Sequence, residues 1–152
     1  MPADGHSAAV SVALVCAFCD IANGQTPADV VYDDSETIAF LDHRPLFVGH
    51  TLVIPREHIE TLVDLPPESI DGFFKAVQLL AAAIPNALDA HGTFVAINNR
   101  VSQSVPHLHA HIVPRRFKDG LRGFFWPRRK YRDEAEMKTA AEAIRVAVAD
   151  IQ

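Results

Sequence analysis

Three histidines alternate with apolar residues in the run His107-Leu108-His109-Ala110-His111-Ile112. An extended strand turns its side chains with a period of two, so this run places all three imidazoles on one face. Leu108, Ala110 and Ile112 then point to the other face and need a covering layer. Three imidazoles in register cannot all be protonated cheaply near neutral pH, because like charges in a shared site disfavour one another. At least one is expected to be neutral and nucleophilic. Two chemistries fit such a row. Alternating histidines on a strand can ligate zinc. One imidazole can also attack phosphorus and form a phosphoramidate that water hydrolyses. A purely structural, hydrogen-bonded row is the plainer reading. It is disfavoured by the three-fold register and by the polar flanks Gln103-Ser104 and Arg115-Arg116.

The rest of the chain supplies the other layers. Residues 30–32 and 37–41 are rich in β-branched and aromatic types, with Asp33-Asp34 as the turn between them. Residues 48–55 read as a third strand that Pro55 ends. Residues 93–97 form a fourth strand and residues 108–114 a fifth. A long helix is expected from Pro67 to about Ala90, with Ile70, Phe73, Phe74, Val77, Leu80 and Ile84 at helical spacing. Pro66-Pro67 suits its first turn, and Pro85 should kink or split it near Ile84. A second long helix runs over residues 133–151, with Met137, Ala141, Ile144, Val148 and Ile151 on one stripe. Asp133 can cap it, with Glu136 three residues on. A short helix is expected to stop at Asn23-Gly24. Strands and helices do not alternate regularly, so the expected class is α+β with a five-stranded, mostly antiparallel sheet and two main helices.

The chain has 152 residues, enough for one domain with a core of its own. Residues 1–14 read as a flexible tail and residues 15–152 as the domain. The net charge of −5 gives no support to nucleic-acid or anionic-membrane binding. An anionic ligand would need a local cluster of donors. The apolar stretch at residues 8–15 is too short to span a bilayer, and no Lys or Arg precedes it as a signal peptide requires. Val15 before Cys16 argues against a lipoprotein cleavage box. With only two cysteines, Cys16 and Cys19, the chain is no disulfide scaffold and reads as cytoplasmic.

The stretch from Ser102 to Arg115, Ser-Gln-Ser-Val-Pro-His-Leu-His-Ala-His-Ile-Val-Pro-Arg, resembles the signature of the histidine-triad (HIT) family. Phe40-Leu41-Asp42 with Pro45, and the run from Gly49 to His58, resemble that family's nucleotide-binding strand region. Cys16-Ala17-Phe18-Cys19-Asp20-Ile21 resembles the start of many bacterial members. The resemblance implies a compact α+β subunit that pairs into a homodimer with a continuous sheet. It implies a purine nucleotide site and hydrolysis or transfer at the α-phosphate. By the same resemblance His109 is the nucleophile, His111 contacts the α-phosphate, and His107 orients the nucleophile or serves a metal. Gln103 and Ser104 match phosphate and leaving-group contacts, Asp42 the ribose-binding residue, His50 a histidine near the phosphates, and Asn98 an amide beside the nucleophile. The charge chemistry agrees with these roles, since donors around phosphorus stabilise developing charge and a carboxylate accepts ribose hydroxyls. Many members carry glycines in the loop before the triad, as Asn-x-Gly and then Gly-Gln. Here the loop is Asn98-Asn99-Arg100-Val101-Ser102-Gln103, shorter and without glycine. Arg100 in this loop is placed to reach a second phosphate or to sit in solvent.

The Cys16-x-x-Cys19 spacing suits one zinc ion, which needs two more ligands. His58 and His107 are the candidates. Related bacterial members and the galactose-1-phosphate uridylyltransferases resemble this arrangement. Half-buried thiols are the plain alternative; a redox pair lacks the surrounding βαβ pattern. Residues 115–132 mix eight basic residues with Phe117, Phe124, Phe125, Trp126 and Tyr131. That mixture fits a nucleic-acid or polyphosphate surface, or a dimer contact or lid, with Trp126 placed near a base or leaving group across a dimer. Three functions follow: a nucleotidyl hydrolase, a non-catalytic zinc-stabilised nucleotide sensor or adaptor, and a metallohydrolase holding its metal on the triad.

Overall fold

The computed structural model describes residues 15–121 and 128–152. They divide after Asp119 into two compact units. The first holds a short helix α1 (Ala17–Ala22), strands β1 (Val30–Asp33), β2 (Thr37–Leu41) and β3 (Thr51–Pro55), a 3₁₀ turn at Leu62–Asp64, helix α2 (Pro67–Leu88), and strands β4 (Gly92–Ile97) and β5 (Ala110–Arg115). The sheet runs β1-β2-β3-β5-β4, and every pairing is antiparallel. The α+β class with a five-stranded sheet is as expected.

Residue alternation divides the sheet into two faces. Ala39, Val53, Leu108, Ala110 and Ile112 lie in one apolar cluster with Phe73, Val77 and Leu80 of α2. Ile38, Phe40, Leu52 and Ile54 face the other way and cluster with Cys16 and Phe18 of the α1 segment. Val53 pairs with Ala110 and Leu52 with His111. Cross-strand partners share a face, so His111 belongs to the α1 side. The predicted inversion of imidazoles and apolar residues across β5 is therefore present. The hydrogen-bonded strand starts at Ala110, two residues later than expected. Leu108 instead donates its N–H to the Ile59 carbonyl.

Three local expectations need correction. Pro85 does not split α2, which runs unbroken from Pro67 to Leu88. Pro85 falls in the last turn, so the helix forgoes one intrahelical N–H bond there and has little further to run past the proline ring. Its carbonyl accepts from both Asp89 and Ala90 as Asp89 turns left-handed at φ 52°. The third strand begins at Thr51 rather than Val48 because Gly49 takes φ +99°. A Cβ built there would fall 2.1 Å from Leu88 Cδ1, so only glycine fits without a shift. Asp133 does cap the last helix, accepting from Glu136 N–H at 2.8 Å, but Glu136 reaches back to Arg132 N–H instead of to the cap residue.

The second unit contains helix α3 (Glu134–Ile151). Its stripe of Met137, Ile144, Val148 and Ile151 is exposed. No helix among the described residues is long and apolar enough to cross a membrane.

Candidate active site and metal centre

The three histidines of the row are not equivalent, and main-chain groups distinguish two of them. His107 is fully buried. Its Nε2 lies 2.8 Å from the Pro55 carbonyl oxygen. A carbonyl can only accept, so Nε2 carries the hydrogen and Nδ1 keeps its lone pair. That lone pair faces Cys16 Sγ at 3.4 Å and Cys19 Sγ at 3.5 Å. Next along the strand, His109 Nδ1 is 2.7 Å from the carbonyl oxygen of His107. The same reasoning puts the hydrogen on Nδ1 and leaves His109 Nε2 as the lone-pair nitrogen. His111 Nδ1 lies 3.0 Å from His50 Nε2. The three rings thus turn to three different partners. Among the described residues they do not converge on one point as a three-histidine metal site would require.

Burial sets the charge state of this row. It depresses the pKa of His107, against the raising effect of the Pro55 carbonyl and with help from His58 and His109 nearby. His111 is pushed down to about 4, first by burial and then by the like charges of His109 and His50. His50 is lowered by burial, although Asp42 opposes the shift. His107, His50 and His111 are therefore neutral imidazoles at pH 7.

A cavity of about 680 Å³ opens beside His109 and His111. Phe18, Ile21, Phe40 and Leu52 give it an apolar wall, and Asp42 and Ser104 add polar atoms. An apolar slot with a few convergent polar groups is the usual form of a small-molecule site. Phe18 stands edge-on to His109, with ring centroids 5.1 Å apart, and to His107 at 6.0 Å. It lies inside the Cys16-x-x-Cys19 segment, so the same six-residue helix shapes both the cavity wall and the thiol pair.

The remaining sequence candidates fall into two groups. Asp42 and Ser104 line the cavity with His109 and His111. Asp42 Oδ1 accepts from Arg44 N–H at 2.9 Å, and Oδ2 lies 3.7 Å from His50 Nε2. His50 is buried, lies against His111, and is not among the residues that line this cavity. Gln103 spends both ends of its amide on the loop: Nε2 donates to the Glu60 carbonyl at 2.7 Å and Oε1 accepts from Arg100 N–H at 2.8 Å. Asn99 Oδ1 accepts from Leu62 N–H at 2.9 Å, which ties the loop to the 3₁₀ turn. Asn98, half-buried at the end of β4, is thereby distinguished from its neighbour. Arg100 and Ser102 adopt φ 69° and 60°. Both are left-handed conformations that glycine adopts at no steric cost, in a loop that carries no glycine. Sequence reasoning counted the missing glycines; it did not foresee two non-glycine residues in left-handed conformations.

Cys16 Sγ, Cys19 Sγ and the ring nitrogens of His58 and His107 all lie within 4.8 Å of one another. Cys19 Sγ is 3.3 Å from His58 Nδ1. Tetrahedral zinc with the usual Zn–S and Zn–N bonds separates an S and an N ligand by about 3.5 Å. The observed S···N spacings of 3.3, 3.4 and 3.5 Å match that edge. Cys19 N–H points to Cys16 Sγ at 3.4 Å. Burial, with Cys16 alongside, raises the Cys19 thiol to about 11, so this sulfur ionises readily only with a cation beside it. The donor set and spacing fit zinc.

The basic aromatic segment is partly accounted for. Arg115 pairs with Asp119 at 2.6 Å. Arg116 donates to the carbonyls of Leu88 and Asp89 at the end of α2, and Phe117 packs on His91 with centroids 4.6 Å apart. Arg122, Phe124, Phe125 and Trp126 lie outside the described residues.

Comparison with known proteins agrees with this geometry. The HIT domain model matches residues 23–118, well over half the chain. The Bacillus subtilis protein named Protein hit is 40% identical over 113 residues, covering 73% of this chain and 78% of that protein. Adenylylsulfatase HINT3 of Arabidopsis thaliana is 35% identical, over 70% of this chain and 55% of its own length. Adenosine 5′-monophosphoramidase HNT1 of Candida albicans is 30% identical, over 74% and 78%. Among solved structures, a HIT family member from Bacillus subtilis superposes with a TM-score of 0.75 at 34% identity, covering 85% of this chain and 94% of that one. A zinc-bound histidine triad protein from Mycobacterium smegmatis gives 0.67 at 38% identity, over 88% and 96%. Fold, triad and sequence together make this chain a member of the histidine triad, or HIT, family.

Proposed function

We propose that this chain is a nucleotidyl hydrolase or transferase acting at the α-phosphate of a purine nucleotide derivative through a covalent intermediate on His109. One observation carries the reading: the His107 carbonyl holds His109 Nδ1–H at 2.7 Å, which leaves Nε2 as a nucleophilic lone pair on a ring that lines the cavity. The nitrogen attacks the α-phosphorus, the N–P bond forms, and the bond to the leaving group breaks. Ser104 is positioned on the cavity wall to hydrogen-bond that leaving group. Water then attacks phosphorus, the N–P bond breaks, and a nucleoside monophosphate leaves with His109 regenerated. His111 donates to a phosphoryl oxygen, where a fixed donor stabilises the charge that builds in the transition state. Asp42 accepts ribose hydroxyls, and the Phe18, Ile21 and Phe40 wall takes the base. The named activities of the Arabidopsis and Candida relatives support this class of chemistry.

Cys16, Cys19, His58 and His107 would hold zinc. When bound, the ion supplies the positive charge that ionises both thiols and pins the α1 segment to the triad strand. A homodimer with a continuous sheet belongs to the same proposal; β1 and β4 are the edge strands through which it can extend. The proposal places the protein in the cytoplasm.

The test is intact-protein mass spectrometry of a rapidly quenched reaction with an adenosine 5′-phosphoramidate. An adenylate adduct on the native chain, missing in His109→Ala, is expected. Negligible turnover by both proteins with no adduct would leave the non-catalytic sensor or adaptor as the reading, and equal measurable turnover with no adduct would overturn the role of His109.

A further inference from the structure

The loop that carries His50 is held together by main-chain and side-chain hydrogen bonds of its own. Asp42 Oδ1 accepts from Arg44 N–H, Asp42 N–H donates to the His50 carbonyl at 2.8 Å, and His50 N–H donates to the Phe47 carbonyl at 3.0 Å. Within this loop the Leu46 N–H lies 3.1 Å from His50 Nδ1. A backbone N–H can only donate, so His50 Nδ1 must present its lone pair. Neutral His50 then carries its hydrogen on Nε2. A doubly protonated ring would set an N–H against the Leu46 N–H. The Nε2–H donates across 3.0 Å to His111 Nδ1, and Asp42 Oδ2 at 3.7 Å favours the positive end of that bond. His111 Nδ1 is therefore an acceptor, and its single hydrogen sits on Nε2.

We propose that His50 is a positioning residue: through Leu46 it fixes the tautomer of His111, so that His111 offers the cavity an N–H donor and never a lone pair. The proposal rests on the nucleotidyl-transfer reading for its catalytic meaning but not for its structural test. His50 is only 3% exposed and lies outside the cavity wall, so it acts through His111 rather than by touching the substrate. The chain of direction runs from a backbone N–H through two imidazoles to the cavity. It selects substrates whose α-phosphoryl oxygen there is a bare acceptor. A neutral second histidine facing the nucleophile's site in the opposite tautomer would repel such an oxygen.

The decisive measurement is a long-range ¹⁵N–¹H correlation spectrum of histidine-labelled full-length protein, with His111 assigned by His111→Asn. In the native protein His111 should show a protonated Nε2 and a bare Nδ1. A native spectrum with the hydrogen on Nδ1 overturns the proposal without any variant at His50. In His50→Leu the Nδ1 partner is lost, and His111 should shift to a mixture of tautomers with kcat/KM about tenfold lower, the loss of roughly one oriented hydrogen bond. His50→Gln can return an N–H near the old Nε2 position and should restore both the single tautomer and most of the activity. A His111 tautomer indifferent to Leu at position 50 overturns the proposal. If no nucleotide is ever turned over, the spectrum still decides the tautomer, and only the catalytic reading of His109 falls.

Discussion

The sulfur of Cys19 lies 3.3 Å from Nδ1 of His58, two residues 39 positions apart in sequence. Nothing in the local backbone of either residue requires this meeting; it is the closing contact of a four-ligand cluster. If zinc occupies that cluster, the protein as isolated should contain about one zinc per chain. Cys16→Ser with Cys19→Ser should lose it, and the thermal midpoint should fall by roughly 5 °C or more, because 1 kcal/mol is worth about 2–4 °C in a chain of this length. Elemental analysis and scanning calorimetry report the two effects. Full metal retention in the double variant would remove these cysteines from the ligand set.

Protonation should work against the fold on the acid side. The folded pKa of His111 is about 4, below the ordinary histidine value, and that of His50 is also lowered by burial. The unfolded chain therefore binds more protons than the folded one between about pH 6.5 and 4, and stability falls as pH drops through that window. Above it these groups contribute no slope. Urea midpoints measured from pH 7.5 down to 4.5 should decline, and His111→Asn should flatten the decline. An equally steep decline in that variant would assign the effect to other groups.

Gly49 turns the chain just before His50 at φ +99°, with Leu88 packed where a side chain would begin. Gly49→Ala should cost about 1–2 kcal/mol from the left-handed backbone alone, before Leu88 has moved. Equilibrium unfolding in urea gives the difference directly. A change under a few tenths of a kcal/mol would mean that the turn relaxes to another geometry.

The loop before the triad should respond in the opposite direction. Arg100 and Ser102 hold left-handed conformations that glycine adopts at no steric cost. Ser102→Gly and Arg100→Gly are each expected to stabilise by about 0.5–1 kcal/mol, the relief of strain exceeding the added freedom of the unfolded chain. Arg100→Gly also removes a cation from the loop beside the site. If that side chain reaches a second phosphate, the KM for a dinucleoside polyphosphate should rise while the KM for a phosphoramidate stays unchanged. Destabilisation in both variants would contradict the strain argument.

The sequence was most informative where a pattern had one physical solution. Alternation in residues 107–112 required a strand with imidazoles on one side, and Phe18, Leu52 and His111 do share a face opposite Ala110 and Ile112. The spacing of Cys16 and Cys19 required partners, and His58 and His107 are found beside them. Legibility failed where distant backbone decides. Pro85 signals a break only in a helix that continues, and α2 ends within a turn. Gln103 matched a phosphate contact by motif; that its amide bonds the Glu60 carbonyl and the Arg100 N–H was not legible from the motif. His50 matched a residue near the phosphates; that its ring takes the Leu46 N–H and meets His111 was not legible, because a main-chain amide has no side-chain signature.

The carbonyls of Pro55 and His107 hold the rings of His107 and His109. A point substitution changes side chains and leaves such carbonyls in place. The reactive orientation of the strand is thus insulated from most single replacements, while Phe18, Ile21, Leu52 and the rest of the cavity wall enjoy no such protection. A chain built this way can change what it accepts far more freely than it can change what it does.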